Sequence, residues 1–268
     1  MNYSTIRNQI LIFLRLMQRD FYQYKERILS YYLINYALIY PALYSFSFGY
    51  LQANIFFTKA DPVKGTILFI GNFLLVVILL SFSLSLELLF DLENEHIIDY
   101  QMTFLNPRLI ILERILFTSL FTFFVLLPYY PMAKLFLGSS FVTSSLSMSK
   151  VLIILYASSL MCSAYNHLVA CILPHSGSIG MFWRRVNTPL FMLGGFWVPW
   201  HILQKFSPLL GTIALLNPFI YVTEGMRQSV LNISTFLSFW YCLVMLFVFT
   251  IIFIYATFWQ FKKRVDHI

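Results

Sequence analysis

Charged residues are scarce in this chain. Asp, Glu, Lys and Arg together make up only 11 % of the 268 residues, whereas hydrophobic residues make up 59 %. A soluble domain carries about 25 % charged residues because it must cover its surface with hydrated groups. The composition therefore excludes an ordinary soluble domain. It indicates a protein of the lipid bilayer, where only helices and closed barrels satisfy every backbone polar group.

The sequence also lacks the strict alternation of polar and apolar residues that marks the strands of a membrane barrel. Its apolar runs instead extend over about 20 residues or more, which is the length that a membrane-spanning helix requires. The fold class that we predict is an all-α integral membrane protein.

Cysteines and nucleotide-binding motifs are the next absences. The three cysteines lie inside apolar runs, without the spacing of a disulfide framework or a zinc site; they are Cys162, Cys171 and Cys242. No P-loop of the Walker A type occurs, so a nucleotide site of that kind is excluded. We expect no catalytic residue, metal or cofactor in this chain, and any ATP-driven process would need a second subunit.

The hydrophobic runs predict six membrane spans, at about residues 29–52, 65–90, 109–132, 149–173, 179–200 and 235–260. The apolar stretch between the last two is interrupted by Pro208, Gly211, Pro218 and Gly225, and such a stretch would not form one unbroken helix. It predicts two short re-entrant helices, which enter the membrane partway and return. The chain is then a single domain over 1–268, with its six spans inside 29–260.

The distribution of basic residues predicts the orientation. With the N-terminus inside, twelve of the 18 Lys and Arg residues fall in the inner segments and six in the outer ones. Lys and Arg concentrate on the cytoplasmic side of membrane proteins. We therefore expect both termini in the cytoplasm, with residues 261–268 as a cytoplasmic tail, and this also explains the formal charge of +7.

The segment before the first span, residues 1–28, has the pattern of an amphipathic helix. Apolar residues recur every three or four positions, while Arg15 and Arg19 fall on the opposite side; the apolar set is Ile6, Ile10, Phe13, Met17 and Phe21. Such a helix is typical of the membrane interface. The alternative is that the segment simply begins the first span.

The inner loop between the second and third spans concentrates acids. Five of the eleven acids lie between residues 91 and 114: Asp91, Glu93, Glu95, Asp99 and Glu113. A metal site built from Glu93, Glu95, His96 and Asp99 is one interpretation, but this spacing matches no particular metal motif. We favour a short helix that begins with the acids, is closed by Pro107 and offers a charged surface to a cytoplasmic partner.

Polar residues within predicted spans are functional candidates because they are costly in lipid. Asn166 and His167 lie in the fourth span and Glu87 lies near the inner end of the second. Asn166 and His167 are candidates for a substrate pathway. The alternative is that both form hydrogen bonds between helices.

The stretch LLNPFIYVTEGMRQSVL, residues 215–231, carries an acid and a base three positions apart, Glu224 and Arg227. Residues at this spacing pair on one face of a helix, and pairing lowers the cost of placing them near lipid. We expect Pro218 and Gly225 to bend this helix so that it does not cross the membrane, and we expect it to form a gate at the outer end of a path. The alternative is that the pair only solvates an outer loop.

Several of these stretches resemble the type-2 ABC exporter permeases. Asn217 and Pro218, followed by Tyr221, Glu224 and Arg227, resemble the family's NP-x-x-Y-x-x-E-x-x-R pattern. The stretch from Gly194 to Pro199, with Pro208 downstream, resembles the segment that precedes it. The loop DLENEHIIDYQMTFLNPR resembles the family's acidic inner segment, although His96 and Ile97 replace its usual Gly-Thr.

The resemblance implies a half-size membrane subunit that exports polysaccharide such as O-antigen or capsule, lipo-oligosaccharide, or drugs from the bacterial inner membrane. It implies a homodimer and a separate cytoplasmic ATPase that carries ATP and Mg²⁺, so that this chain is not itself an enzyme. The segment that couples to the ATPase would include Asp91, Glu93, Glu95, Asp99, Pro107 and Arg108. The re-entrant gate would include Asn217, Pro218, Tyr221, Glu224 and Arg227.

Two other classes of function are open on the residues alone. A membrane-embedded enzyme that modifies lipids or glycans would show His, Asp or Ser clustered at one membrane face. The sequence shows no cluster of that density. A passive scaffold subunit is the other alternative.

Overall fold

The computed structural model of the chain describes residues 3–47, 62–137 and 147–265. All regular secondary structure within these ranges is helical. The helices are α1 (Tyr3–Arg27), α2 (Tyr40–Tyr44), α3 (Pro62–Glu93), α4 (Glu95–Met102), α5 (Pro107–Leu126), α6 (Tyr129–Leu137), α7 (Met148–Ile172), α8 (Ile179–Phe182), α9 (Thr188–Leu193), α10 (Trp200–Phe206), α11 (Pro208–Leu215), α12 (Phe219–Leu231) and α13 (Phe239–Val265). Two π-helical stretches, Ile28–Ile39 and Trp183–Asn187, join α1 to α2 and α8 to α9, and a 3₁₀ turn occupies Ser176–Ser178.

Four helical stretches are long and apolar enough to cross a membrane: Gly65–Glu93, Pro107–Phe136, Met148–Ile172 and Phe239–Val265. They coincide with the second, third, fourth and sixth predicted spans. The pair α11 and α12, bent by 98°, forms a fifth if it is counted as one broken span. The prediction of a multi-pass, all-helical membrane protein is therefore confirmed for the described residues.

The two other predicted spans differ from this pattern. The first, 29–52, is helical through residue 47, and its last residues, 48–52, lie outside the described residues. The fifth was predicted over 179–200, but its helical backbone ends at Leu193. The end is set by Gly194 and Gly195, since Gly195 has φ +78°, a conformation that side chains with a Cβ rarely adopt. The uninterrupted helix is thus shorter than the roughly 20 residues of a full span.

The helix α7 lies at the centre of the bundle and packs against α3, α5 and α13. Its buried face is rich in small residues, including Ala157, Ser158 and Ala164, which let neighbouring helices approach closely. In contrast, α13 buries only one side, and Ile251 and Tyr255 are exposed on the other. Such an apolar face is suited to contact with lipid.

Polar contacts group the helix ends into two sets. At one end, Arg264 of α13 donates to the carbonyl oxygen of Ala170, in the last turn of α7, and to that of Pro174, which follows α7. At the same end, the Glu93 carboxylate accepts from the backbone N–H of Ser176. At the other, the N–H of Ser147 donates to the Ser229 carbonyl (3.1 Å). The first set belongs to segments that the distribution of basic residues predicts to be cytoplasmic. We call these the inner end and the outer end of the bundle.

The amphipathic segment is a helix, α1, but its backbone continues without a break into the next helical stretch. It turns Asp20 and Tyr24 towards the bundle, where both are buried. Ile10 and Phe21 of its predicted apolar face remain more than half exposed. Phe13 and Met17 of the same face are half-buried, so the described part of the protein covers this face only in part.

Candidate functional site

The pair Glu224 and Arg227 lies at the outer end, on one face of α12. Nη1 of Arg227 donates to Oε1 of Glu224 at 3.0 Å, as the spacing predicted. Both side chains are 0 % exposed. The alternative that the pair solvates an outer loop is therefore wrong, since neither side chain reaches the surface.

Backbone carbonyl oxygens accept hydrogen bonds from the other N–H groups of Arg227. Nη2 donates to the Gly195 carbonyl at 2.6 Å and, at 3.4 Å, to the carbonyl of Ile67 in the first turns of α3. A guanidinium presents five donors in a fixed fork, which suits it to joining several acceptors at once. Arg227 thereby fixes the loop that follows α9 against the beginning of α3.

The carboxylate of Glu224 binds two further segments. Its Oε1 accepts from the N–H of Trp200 at 3.1 Å, and its Oε2 accepts from the N–H of Leu237 at 3.4 Å. Trp200 begins α10, and a helix N-terminus favours a negative charge because its first N–H groups have no partner in the helix. Glu224 and Arg227, with the backbone groups that they bind, form what we call the Arg227 cluster.

The bend before α12 is held by the other predicted gate residues. The side chain of Asn217 accepts from the N–H of Phe219 at 3.1 Å and donates to the carbonyl of Leu190. The Tyr221 hydroxyl donates to the Leu215 carbonyl at 2.6 Å, which ties α12 back to α11. Pro218 is the residue from which α12 starts. The structure thus brings all five predicted gate residues to one bend and the helix after it.

The glycines of this region do not have the predicted role. Gly211 and Gly225 lie inside α11 and α12 and neither ends a helix. A Cβ at Gly225 would lie 2.9 Å from Cδ1 of Ile154, and one at Gly211 would lie 2.8 Å from Cα of Gln204. Real Cβ atoms do not come so close to other atoms, so these glycines permit close helix packing instead.

The count of short helices also differs from the prediction. Three helices rather than two lie between Trp200 and Leu231, and they divide into two environments. In α12 nearly every residue is buried, whereas Phe206 and Leu209 at the turn between α10 and α11 are 84 % and 70 % exposed. The pair α10 and α11 therefore lies at the periphery, and α12 is part of the core.

Two glycines next to Arg227 were not singled out as site residues. A Cβ at Gly71, inside α3, would lie 2.0 Å from the Phe196 carbonyl oxygen, and one at Gly195 would lie 2.5 Å from Oγ1 of Thr223. Gly71 is a lone glycine inside a long apolar run, and this is the signal that marks a close approach. These two positions allow the loop after α9 to reach the guanidinium.

The predicted coupling segment lies at the inner end as α4 and the turn that follows it. Pro107 was expected to close this helix, but α4 ends at Met102 and Pro107 opens α5. The Asn106 side chain caps α5 by accepting from the N–H of Arg108 at 3.1 Å. Proline is suited to this first helical position because its missing N–H would have no partner there.

The acids of this segment are not all presented to a partner. Asp91 accepts from Arg114 at 2.5 Å, Glu93 accepts from the Ser176 N–H, and Glu113 is 1 % exposed inside α5. The side chains of Glu95 and Asp99 lie outside the described residues. Among the described side chains the exposed ones include Arg108 and an edge-to-face aromatic pair, Tyr100 and Phe104, with ring centroids 5.2 Å apart.

From the sequence, Arg114 was only one of the basic residues that predict the orientation. Its Nη2 donates to Asp91 Oδ2 at the end of α3 and to Gln101 Oε1 of α4 at 3.2 Å. The guanidinium also lines a small cavity together with residues from three other helices: Asp20, Tyr24, Glu87 and His167. Burial, and then the neighbouring Glu87 carboxylate, raise the pKa of Tyr24, so its hydroxyl stays protonated and can donate to Glu87. We name Arg114 with its two acceptors, Asp91 and Gln101, the Arg114 cluster.

The two pathway candidates are buried in the bundle. Nδ2 of Asn166 donates to Ser81 Oγ at 2.7 Å and to the Ile78 carbonyl at 3.2 Å, which joins α7 to α3. Nδ1 of His167 lies 2.8 Å from the Ser163 carbonyl. The contacts of Asn166 are those of an interhelical hydrogen-bonding group, whereas His167 lies beside the Arg114 cluster.

The sequence was compared with protein families, with curated proteins and with solved structures. The family model described as ABC-2 type transporter matches residues 12–231. No curated protein and no solved structure matches the chain. The family is one of transport membrane subunits that typically work with an ATPase subunit, and it gives no support to the alternative of a membrane-embedded enzyme. Because the match covers well over half of its residues, the chain belongs to the ABC-2 type transporter family and is the permease subunit of an ABC transporter.

Proposed function

We propose that this permease is the membrane subunit of an ATP-driven exporter and that it engages a separate cytoplasmic ATPase through the surface around α4. The observation that carries the proposal is the exposed pair Tyr100 and Phe104, which are 68 % and 54 % exposed. Tyr100 lies in α4 and Phe104 in the turn after it, and other exposed side chains of this turn, such as Thr103 and Asn106, are polar, so lipid is not their natural contact. Exposed aromatic residues of this kind commonly anchor protein interfaces.

The proposed contact differs from the acidic one expected from the sequence. Asp91 binds Arg114 of α5 and Glu93 binds the backbone N–H of Ser176, so in this proposal both acids hold segments of the permease together rather than bind the partner. The aromatic pair supplies the apolar centre of the interface, and Arg108 supplies a charged rim. This arrangement follows the common anatomy of interfaces, with an apolar centre and a polar edge.

The membrane arrangement in this proposal has six spans with both termini in the cytoplasm. It is supported by the basic residues at helix ends, with Lys25 and Arg27 in the last turn of α1, Arg108 in the first turn of α5, and Lys262, Lys263 and Arg264 in the last turn of α13. The first span would include the helical stretch from Ile28, and the fifth would be the shortened helix from Ile179 to Leu193.

The outer segment from Trp200 to Leu231 acts in this proposal as a re-entrant gate. The exposed apolar residues of α10 and α11 suit the outer leaflet, while α12 and the Arg227 cluster anchor the gate to the bundle. Two copies of the chain would enclose a path for an amphipathic substrate such as a lipid-linked glycan. This substrate class rests on the resemblance of the gate motif to those of polysaccharide exporters.

The test is purification of the tagged chain from its native membranes, followed by identification of the ATPase that accompanies it. Replacing both Tyr100 and Phe104 by Ala should lower the amount of bound ATPase by at least about tenfold, because such anchors often contribute 2 kcal/mol or more each. Arg108→Ala is the matched control and should lower it much less. Full retention of the ATPase by the double variant would contradict the proposed contact.

A further inference from the structure

The guanidinium of Arg114 joins the surface around α4 to two membrane helices, α3 and α5. The side chain of Arg114 is 9 % exposed, and it projects from α5 between Asp91 at the end of α3 and Gln101 of α4. Gln101 is itself 6 % exposed. A charge-assisted hydrogen bond in such a setting is roughly twice as strong as a neutral one.

The helix α4 is eight residues long, too short to be stable as an isolated helix. Among its described side chains, Ile98 is 3 % exposed and Met102 packs against the apolar core, while Tyr100 is exposed. The bond from Arg114 to Gln101 adds a charge-assisted contact to these apolar ones and ties α4 to α5.

The same guanidinium also adjoins α1 and α7. The cavity that it lines is shared with Asp20 and Tyr24 of α1 and with His167 of α7. Tyr24 is 3 % exposed and packs on Phe117 of α5, with ring centroids 5.6 Å apart. A displacement of Arg114 would thus change its surroundings on four helices besides its own: α1, α3, α4 and α7.

Arg108 provides an internal comparison. It lies six positions earlier in the same helix and carries the same charge, but its side chain is exposed. Within the described residues its side chain forms no hydrogen bond or ion pair. The difference between the two arginines is therefore one of contacts and not of charge.

We propose that Arg114 is a positioning residue that couples α4 to the membrane helices, so that a movement imposed on α4 by the ATPase reaches α3 and α5 together. The inference rests on the proposed function, in which the surface around α4 binds the ATPase. It adds the route by which that binding acts on the bundle. Coupling between sites of this kind usually corresponds to factors of about 5 to 150.

The test uses hydrogen–deuterium exchange of the permease–ATPase complex, with and without trapping by ATP and vanadate. In the wild type, trapping should change the exchange rates of α4 and of the inner ends of α3 and α5 together. In Arg114→Gln the change at α4 should persist, while the change at α3 and α5 should fall at least about fivefold. Arg108→Gln changes the rim of the docking surface, so it should lower the amount of bound ATPase somewhat, but the complex that forms should keep the joint response of α3, α4 and α5. Arg114→Lys should recover part of the response because its ammonium can bind one of the two partners.

The outcomes separate this inference from the proposed function. Loss of the ATPase from the Tyr100 and Phe104 double variant tests the docking surface, whereas Arg114→Gln should keep the ATPase bound and hydrolysing ATP. If Arg114→Gln does not accumulate in the membrane, Gln101→Ala replaces it in the test. Gln101→Ala removes only the acceptor of Arg114 on α4, and it should reduce the joint response. A joint response that survives in either variant, or a wild-type response confined to α4, would overturn the inference.

Discussion

Arg227 and Arg114 each join several helix ends, and they differ in what they bind and in how much water reaches them. Arg227 and its partner Glu224 are 0 % exposed, and most acceptors of Arg227 are backbone carbonyls. Arg114 and Asp91 have side chains that are 9 % and 21 % exposed, and both acceptors of Arg114 are side chains.

This difference indicates two mechanical roles. A backbone carbonyl cannot turn away without moving its segment, and an unpaired charge in the enclosed outer site would be costly. Side-chain acceptors can rotate, and nearby water can replace a lost bond. The outer cluster is therefore suited to holding one arrangement, and the inner cluster is suited to changing with a bound partner.

The largest effect is expected from breaking the outer pair. Glu224→Ala should destabilise the protein by about 3–5 kcal/mol, because it leaves Arg227 buried without its counter-charge. The double change Glu224→Ala with Arg227→Ala should recover part of this loss. The measurement is thermal unfolding in a fixed detergent, with the exposed Lys205→Ala of the same segment as control, expected within about 0.5 kcal/mol of wild type. A Glu224→Ala variant as stable as that control would contradict the account of the outer end.

The next effect concerns the close approach that the outer cluster requires. Gly71→Ala should destabilise by about 1–3 kcal/mol, since its Cβ would lie 2.0 Å from a backbone oxygen and the loop would have to shift. Gly180→Ala is the matched control, because a Cβ there meets no atom within 4 Å. The same unfolding assay applies. Equal stability of the two variants would show that the loop after α9 is not held against α3.

The smallest effect is expected at the inner pair. Asp91→Asn should cost only about 1 kcal/mol, because the Asn side chain keeps an oxygen that can accept from Arg114 and only the charge of the acceptor is lost. Its unfolding temperature should therefore lie much closer to wild type than that of Glu224→Ala. A loss as large as the outer one would remove the distinction between the two ends.

Much of the fold follows from the sequence because bilayer thickness fixes span length. The second, third, fourth and sixth spans were placed by that rule and match helices. The pairing of Glu224 with Arg227 and the bend at Pro218 were also predictable, since both depend on residues close in sequence. The Asn106-Pro107 dipeptide carried the signal of a helix start, and reading Pro107 as a helix end overlooked it.

The remainder depends on contacts between distant segments. Whether Gly225 bends a helix or admits a neighbour depends on Ile154, which approaches from another helix. Likewise, Asp91 looked like part of a docking surface because its partner Arg114 lies 23 residues later on α5, beyond α4 and the turn that follows it. Sequence spacing reports local geometry, but it does not report which side chains another helix brings near.

We expect the two clusters to lie at opposite sides of the membrane and the ATPase to bind only at the inner one. The three natural cysteines are buried, so single cysteines at Ser234 and Thr103, both exposed, can be labelled against a low background. Thr103→Cys leaves both aromatic residues of the docking surface in place. In intact cells an impermeant maleimide should label Ser234→Cys. Thr103→Cys should react only after permeabilisation, and bound ATPase should protect it. Labelling of both positions from the same side would contradict this arrangement.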